Sequence, residues 1–117
     1  MFDGLHYYFY LKDTDEVVKC DSHQHRQALA KKHGSCQHVK EDFLRLKCGN
    51  TVRVSTICLP FDHNYFTGKP LIFETMIFSD IKEYDCKERR ASTLDEARII
   101  HNDWINEIKG KEGVNES

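Results

Sequence analysis

The sequence predicts an α+β protein, built as a two-layer sandwich in which two helices cover one face of a mostly antiparallel sheet of five or six strands. Two observations predict this fold class. Short segments rich in β-branched and aromatic residues follow one another across short turns, which favours antiparallel pairing. Two further segments begin with helix-capping residues. The expected order of elements is β-β-α-β-β-β-β-α, in a chain of 117 residues that suits one domain.

The strands are predicted from runs that alternate or are continuously apolar. The most regular is 51–59, TVRVSTICL, which is rich in β-branched residues and alternates strictly. Residues 71–78, LIFETMIF, are apolar on both faces and should form an interior strand. The alternating charges of 86–91 suit a sheet edge, because they discourage pairing with other chains. The remaining predicted strands are 7–12 and 17–20, joined as a hairpin, and the second half of 38–48.

The helices are predicted from their caps and their apolar spacing. Helix one should run over 22–33 with Asp21 as its N-cap. Helix two should begin after Thr93, in the capping-box sequence STLDE, and end at Gly110. Its apolar stripe comprises Leu94, Ala97, Ile100, His101, Trp104, Ile105 and Ile108.

Composition limits the class of protein. Residues 1–109 are expected to form a single domain and 110–117 a flexible C-terminal tail. With 17 basic and 19 acidic residues the net charge is −2, which argues against a nucleic-acid partner. Five cysteines without a C-x-x-C pair or a signal peptide indicate free thiols in a reducing cytoplasm. No apolar run approaches the length of a membrane span, so no membrane partner is expected. The sequence sets no oligomeric state.

Residues 20–38, CDSHQHRQALAKKHGSCQH, are unusually rich in cysteine and histidine. A structural zinc ion needs four such ligands converging on one point. On a helix, however, His23 and His25 point in different directions. The paired ligand spacings of structural zinc sites are also missing. We therefore expect a solvated His-rich helix, no metal and no cofactor.

Two polar residues lie on surfaces that should face the core. Glu74 is inside the apolar segment 71–78, and His101 is on the apolar stripe of helix two. A buried carboxylate is costly without a partner, so we expect Glu74 and His101 to form a hydrogen bond. Asp62 and His63 follow the strand 51–59 and should lie at the mouth of any pocket that this pair creates.

These four residues, Asp62, His63, Glu74 and His101, are the ligand-binding candidates. They could bind a small molecule, hold a metal through two histidines and a carboxylate, or transfer a proton between Glu74 and His101. The alternative is a structural bond that fixes helix two on the sheet, and it is favoured because buried polar pairs are common and no nucleophile motif is evident. No catalytic residue is assigned, and the chain is more readily understood as a non-enzyme.

Several motifs resemble a widespread family of small uncharacterised proteins carried by phages and prophages. The family pattern is a V-S-T strand ending near D-H, a P-L-L-F-E-T-M-V-F strand, and an R-Y-S-T-x-x-E-A helix start that closes with His. It resembles VSTICL, PLIFETMIF and RASTLDEARIIH of this chain, over about residues 52–101. The chain departs from the pattern in the loops, with Ser79 and Asp80 where the family often has two glycines. The resemblance implies a phage origin and the host cytoplasm as the working place, and no known activity.

Three hypotheses about function follow. In the first, the chain is a phage accessory protein that binds a host protein stoichiometrically, with a metabolic or host-defence target. An exposed apolar patch without a deep pocket would favour it. In the second, the chain is a ligand-binding or metal-assisted hydrolytic protein, which needs a pocket lined by the four candidates. In the third, Arg89, Arg90 and the N-terminal aromatic residues bind nucleic acid, which needs a contiguous basic face that the net charge makes unfavourable.

Overall fold

A computed structural model describes residues 7–61 and 70–114 and confirms the α+β class. The elements follow the predicted order β-β-α-β-β-β-β-α. Their bounds are β1 Tyr7–Leu11, β2 Glu16–Cys20, α1 His23–His33, β3 His38–Arg45, β4 Thr51–Cys58, β5 Phe73–Ser79, β6 Glu88–Ala91 and α2 Leu94–Glu112. No helix within the described ranges is both long and apolar enough to cross a membrane.

The strands form two antiparallel sheets instead of the single sheet of five or six strands that we expected. β1 and β2 form a two-stranded hairpin, and the other four strands form a meander in the order β3-β4-β5-β6. The two sheets touch where Tyr7 bridges Phe61 and the Tyr8 N–H donates to the Pro60 carbonyl at 2.9 Å. β1 meets the main sheet just beyond the end of β4 and does not continue alongside it, so the hairpin remains separate. The interior position of β5 and the edge position of β6 are as predicted.

The core lies between α2, the hairpin and one face of the four-stranded sheet. Successive side chains of a strand point to opposite faces, so only every second residue of β4 and β5 reaches this core. One apolar cluster packs beneath the C-terminal half of α2 and includes Val54, Ile77 and Ile108. A second cluster joins the hairpin to the N-terminal half of α2 and includes Tyr8, Phe73 and Ala97. The hairpin is therefore held to the sheet mainly by apolar burial.

Helix α2 begins as predicted but does not end at Gly110. The Thr93 side chain accepts a hydrogen bond from the Glu96 N–H at 3.1 Å, which caps the first turn. The helix continues to Glu112 and is closed by Gly113, whose φ of 71° few other residues adopt easily. Val114 then bridges Leu46 beyond the end of β3. A glycine inside a helix is unfavourable but does not stop it where the flanking residues continue to pack.

Helix α1 is shorter and more polar than α2. Its N-cap is Ser22, which accepts from the His25 N–H, and not Asp21 as predicted. None of its side chains is fully buried. It is held on the hairpin by Arg26, whose Nε donates to the Tyr8 carbonyl at 2.9 Å and whose guanidinium lies 5.7 Å from the ring centre of Phe9. Cation–π and hydrogen-bond contacts therefore take the place of an apolar seam.

Candidate functional site

Glu74 and His101 lie on opposite faces of the four-stranded sheet, so the predicted hydrogen bond between them is wrong. Thr75 points toward α2, where its hydroxyl joins a chain of hydrogen bonds that reaches His101. Glu74 directly precedes Thr75 in β5, so its side chain points away from α2. Asp62 and His63, the other two candidates, lie outside the described residues. The four candidates are therefore not gathered into one site by the residues that the structure describes.

His101 is fully buried, as its position on the apolar stripe predicted, and its partners come from three strands. Its Nδ1 lies 2.7 Å from the hydroxyl of Thr56, which lies 2.6 Å from the hydroxyl of Thr75. Its Nε2 lies 2.8 Å from a carboxylate oxygen of Asp42. The resulting chain, Asp42–His101–Thr56–Thr75, ties α2 to β3, β4 and β5. We call it the His101 chain.

The directions of these hydrogen bonds follow from the groups at the ends. The Asp42 carboxylate can only accept, so the Nε2 of His101 carries a proton and donates to it. In the neutral ring Nδ1 then accepts a hydrogen bond from the Thr56 hydroxyl, and the Thr56 oxygen accepts one from the Thr75 hydroxyl. Burial lowers the pKa of His101 below its ordinary value, although the hydrogen bond to Asp42 acts in the opposite direction. Each group in the chain has a partner while the ring stays neutral.

The His101 chain resembles an acid–base–hydroxyl relay in its order of groups but offers no reactive end. Thr56, Thr75 and His101 are all buried. Only the Asp42 side chain, which is 40% exposed, reaches solvent. A catalytic hydroxyl must contact its substrate, and neither threonine can do so in this conformation. The arrangement is suited to holding α2 on the sheet.

The opposite side of the four-stranded sheet carries no helix among the described residues. We call it the open face. Its side chains alternate with those of the core, and they are His38, Glu41, Phe43 and Arg45 of β3, Thr51, Arg53, Ser55 and Ile57 of β4, Glu74, Met76 and Phe78 of β5, and Glu88 and Arg90 of β6. Alternation predicts such a face for any sheet covered on one side only, but 71–78 is apolar in both registers and did not indicate which side it would be.

Aromatic rings are the most exposed apolar groups on the open face. Phe43 is 71% exposed and Phe78 is 37% exposed. Both are cross-strand partners of Arg53, on either side of it. The Arg53 guanidinium lies 4.2 Å from the ring centre of Phe78, which is cation–π geometry. The three side chains form one row across β3, β4 and β5.

Most charges on the open face are paired within it. Glu41 contacts the His38 Nδ1 at 3.2 Å and an Arg53 nitrogen at 3.4 Å. The carboxylate of Glu74 accepts from Arg90 Nε at 3.1 Å and is largely shielded, with 14% of its side chain exposed. The partner that a shielded carboxylate needs is thus an arginine of β6 and not His101.

A shallow depression of about 180 Å³ lies at the centre of the open face. It forms around Ser55, whose small side chain stands opposite Met76 and between Arg53 and Ile57 of the same strand. Glu74 lines one side of it. The volume is well below the several hundred Å³ that pockets for small organic ligands usually have. It is suited to one protruding side chain.

The cysteine and histidine residues of 20–38 have separate surroundings. Cys20 is buried, whereas Cys36 is exposed. The His25 Nδ1 accepts from a backbone N–H, and the His38 Nδ1 lies 3.2 Å from the Glu41 carboxylate on the open face. Within 7–61 and 70–114, no group of three or more His, Cys, Asp or Glu side chains could hold a metal ion. These residues supply α1 and its flanks with local contacts.

Neither family models, nor curated proteins, nor solved structures give a match to this chain. The fold and the two sheet faces therefore define only a class of protein. It is a small α+β protein in which helix α2 covers one sheet face and is attached there by the His101 chain. The other face, the open face, exposes two phenylalanines. The residues of the motifs VSTICL, PLIFETMIF and RASTLDEARIIH fall on both faces. Thr56, Thr75 and His101 are on the helix side, and Glu74 and Arg90 are on the open face.

Proposed function

We propose that this chain is a small phage-type accessory protein that binds a host protein stoichiometrically through the open face. The observation that carries the proposal is the exposure of Phe43 and Phe78 on either side of Arg53. Aromatic residues and arginine are the side chains most enriched at the energetic centres of protein interfaces. Large apolar side chains grouped on one uncovered sheet face favour a partner over solvent.

The charges of the open face favour a protein partner over a polyanion. Glu41 pairs with Arg53, and Glu74 pairs with Arg90. Nucleic-acid binding depends on unpaired cations that displace the counterions of phosphates. The whole chain, with a net charge of −2, offers no such excess. The working place in this proposal is the host cytoplasm, which keeps the five free thiols reduced.

The ligand-binding or hydrolytic alternative loses its basis in the described residues. It required Glu74 and His101 in one pocket, and the two lie on opposite faces of the sheet. A non-enzymatic role therefore remains the better account of the chain. A host-defence target is the form of this role that the resemblance to phage proteins suggests, and a metabolic target is the other.

A pull-down with matched variants tests the proposal. The immobilised chain is exposed to a lysate of the candidate host bacterium, beside the double variant Phe43→Ser/Phe78→Ser and the control Ile99→Ser. Ile99 is 60% exposed on α2, on the other side of the molecule, so the control also removes a large exposed apolar side chain. Circular dichroism checks that all three chains are folded.

The expected result is a protein retained near one copy per chain by the wild type and by Ile99→Ser, and lost from the double variant. Loss of the two rings should weaken binding by about thirtyfold or more, since an interface centre of this kind contributes about 2 kcal/mol or more. Equal retention by all three chains, or equal loss from both variants, would show that the open face is not the binding surface.

A further inference from the structure

β3 is a long edge strand whose outer backbone groups have no partner among the described residues. The Leu46 N–H donates to the Asn50 carbonyl at 2.9 Å, so Leu46 and Asn50 form a hydrogen-bonded pair of the β3–β4 hairpin. Hydrogen-bonded and non-hydrogen-bonded pairs alternate along an antiparallel ladder. The N–H and C=O groups of Glu41, Phe43 and Arg45 therefore point away from β4, toward the free edge. Such an edge is a template for another strand.

The same three residues place their side chains on the open face, in the order acidic, aromatic, basic. Read in the opposite direction, the order is basic, aromatic, acidic. An antiparallel copy of the strand, centred on Phe43, would therefore place Glu41 opposite Arg45, Phe43 opposite Phe43, and Arg45 opposite Glu41. Opposite charges and aromatic pairs are the cross-strand neighbours that stabilise antiparallel ladders. The edge of one copy is therefore complementary in charge to the same edge of a second copy.

We propose that the free edge of β3 binds a second copy of this chain, by antiparallel pairing of residues 41–45 about a twofold axis at Phe43. The two four-stranded sheets then form one continuous sheet of eight strands, and the two open faces become one surface. An interface of this kind is isologous, with the same patch used by both subunits, and it closes at two copies.

Features at the ends of β3 limit the pairing to this register. Beyond Arg45 the edge is already occupied, because Val114 bridges Leu46 and the Lys47 N–H donates to the Gly113 carbonyl at 3.1 Å. At the other end, the register shift between His38 and Lys40 bends the strand, so the second copy can leave the edge after Glu41.

Neighbouring registers are less favourable. Centring the pair on Asp42 brings the Asp42 carboxylates of the two copies opposite each other, and like charges in that position are destabilising. Centring the pair on Leu44 would place Asp42 of the second copy beside Leu46. Val114 of the same chain already occupies that position. Only the register centred on Phe43 joins opposite charges on both sides of an aromatic pair.

Charge reversal gives a test that works in two directions. In Arg45→Glu, Glu41 of each copy faces a second glutamate, and in Glu41→Arg, Arg45 of each copy faces a second arginine. Each variant alone should therefore dimerise more weakly than the wild type, by on the order of tenfold, because two attractive pairs become repulsive.

Mixing the two variants reverses the effect. In the heterodimer, one position pairs the two native residues, Glu41 and Arg45, and the other pairs the two substituted residues, which also carry opposite charges. Both pairs are therefore attractive, so the equimolar mixture should regain wild-type affinity. Sedimentation velocity over a concentration series measures each case.

Matched controls are available elsewhere on the surface. Lys32→Glu and Glu83→Arg change the net charge by the same amounts at exposed positions away from β3. These variants, alone or mixed, should dimerise as the wild type does. A wild-type chain that is monomeric at every concentration, or a charge-reversed mixture that dimerises no better than its components, would overturn the proposal.

A disulfide trap checks the register itself. In a hydrogen-bonded antiparallel pair the Cα atoms are about 5.5 Å apart, within the range that a disulfide spans. Phe43→Cys, in a chain with Cys36, Cys48 and Cys86 replaced by serine, should form a covalent dimer on mild oxidation. Glu88→Cys in the same background, on the β6 edge, should not. Equal rates of cross-linking from the two positions would contradict the pairing.

The proposed dimer builds on the open face of the proposed function, and it can be refuted independently of the binding of a host protein. Arg45→Glu retains Phe43 and Phe78, so a chain that no longer dimerises but still captures a host protein separates this inference from the proposed function. A dimer that captures no host protein would refute the proposed function and leave the β3 pairing intact.

Discussion

The imidazole of His101 donates a hydrogen bond of 2.8 Å to the carboxylate of Asp42, joining a fully buried ring on α2 to a half-exposed side chain on β3. Because of this contact, the attachment of α2 to the sheet depends on the protonation state of the His101 ring. The charged groups that act on the ring are Asp42 and Lys40, both from β3, whereas β4 and β5 contribute only hydroxyls.

The stability of the protein should fall as the pH drops below the ordinary pKa of histidine, about 6.5. Burial lowers the pKa of His101 in the folded state, so below that pH the unfolded chain binds a proton that the folded chain does not. The loss is at most about 1.4 kcal/mol of unfolding free energy per pH unit for one such group. Urea denaturation at pH values from about 7.5 to 5.5 measures this slope, above the ordinary range of carboxylates.

The matched variants for this prediction are His101→Gln and His23→Gln. The first should be less stable overall but should show a flatter dependence of unfolding free energy on pH. The second replaces an exposed histidine of α1 and should keep the wild-type dependence. A slope that is unchanged by His101→Gln would assign the pH dependence to another group.

Removing the hydroxyl of Thr56 should be more costly than removing that of Thr75. Thr56→Val keeps the side-chain shape but leaves Nδ1 of His101 without its donor, at a cost of about 1–3 kcal/mol. Thr75 stands at the end of the chain, so Thr75→Val loses a single hydrogen bond of about 1 kcal/mol. The double variant should cost less than the sum, because the two groups share a bond.

The measurement is the unfolding free energy, by chemical denaturation, of the wild type, the two single threonine variants and the double variant, which together form a double-mutant cycle. Thr51→Val, at the exposed start of β4, is the control and should change stability by no more than about 0.5 kcal/mol. Strict additivity of the two core substitutions would mean that the hydroxyls do not act through each other.

The core contacts of α2 should be concentrated at Ile108 and not at Trp104. Both residues belong to the predicted apolar stripe, but Trp104 is only partly buried, whereas Ile108 is fully buried between the helix and the sheet. Ile108→Ala should cost about 2–5 kcal/mol of unfolding free energy. Ile99→Ala, on the exposed side of the same helix, should cost no more than about 0.5 kcal/mol. Denaturant melts that rank the two in reverse would contradict the packing of α2.

Native protein should expose three of its five thiols to a thiol reagent. Cys36, Cys48 and Cys86 are exposed, and Cys20 and Cys58 are buried. Burial raises the pKa of Cys58 to about 12, so its thiolate is scarce at neutral pH. A colorimetric count in buffer and in denaturant should give three and five.

A control for the thiol count is Cys58→Ser, which should leave the native count at three and lower the denatured count to four. Among the exposed thiols, Cys86 should react slowest, because the neighbouring Asp85 carboxylate raises its pKa. Rapid native labelling of Cys20 or Cys58 would show that the hairpin opens readily from the sheet.

The sequence predicted the elements of this fold better than the arrangement of its polar residues. Caps, alternation and apolar runs indicated both helices and six strands, because these signals are local. The third strand was placed in the second half of 38–48, whereas β3 runs over His38–Arg45. The segment LIFETMIF did not reveal its inward face, since Ile77 and Met76 are both apolar. Glu74 was assigned to the core on that ambiguous alternation, and Thr75 faces it instead.

The partners of His101 were missed for a different reason. Asp42, Thr56 and Thr75 come from three strands, and nothing in one sequence indicates which residues of separated strands will meet. A usable signal was present nonetheless. Thr56 follows Val52 and Val54 in strict alternation, so a hydroxyl was placed on a face otherwise filled by valine.

Helix α1 buries none of its side chains completely, and this has a consequence for how the sequence can change over time. Exposed positions such as Gln24, Gln27 and Lys31 are not constrained by core packing, so a saturation mutagenesis screen for folding should tolerate most substitutions there. Arg26 and the Ser22 cap are the exceptions, because they attach and begin the helix. The histidines of this segment are less free to change, because His25 Nδ1 accepts from a backbone N–H and the rings of His23 and His33 lie beside Tyr7 and Phe9.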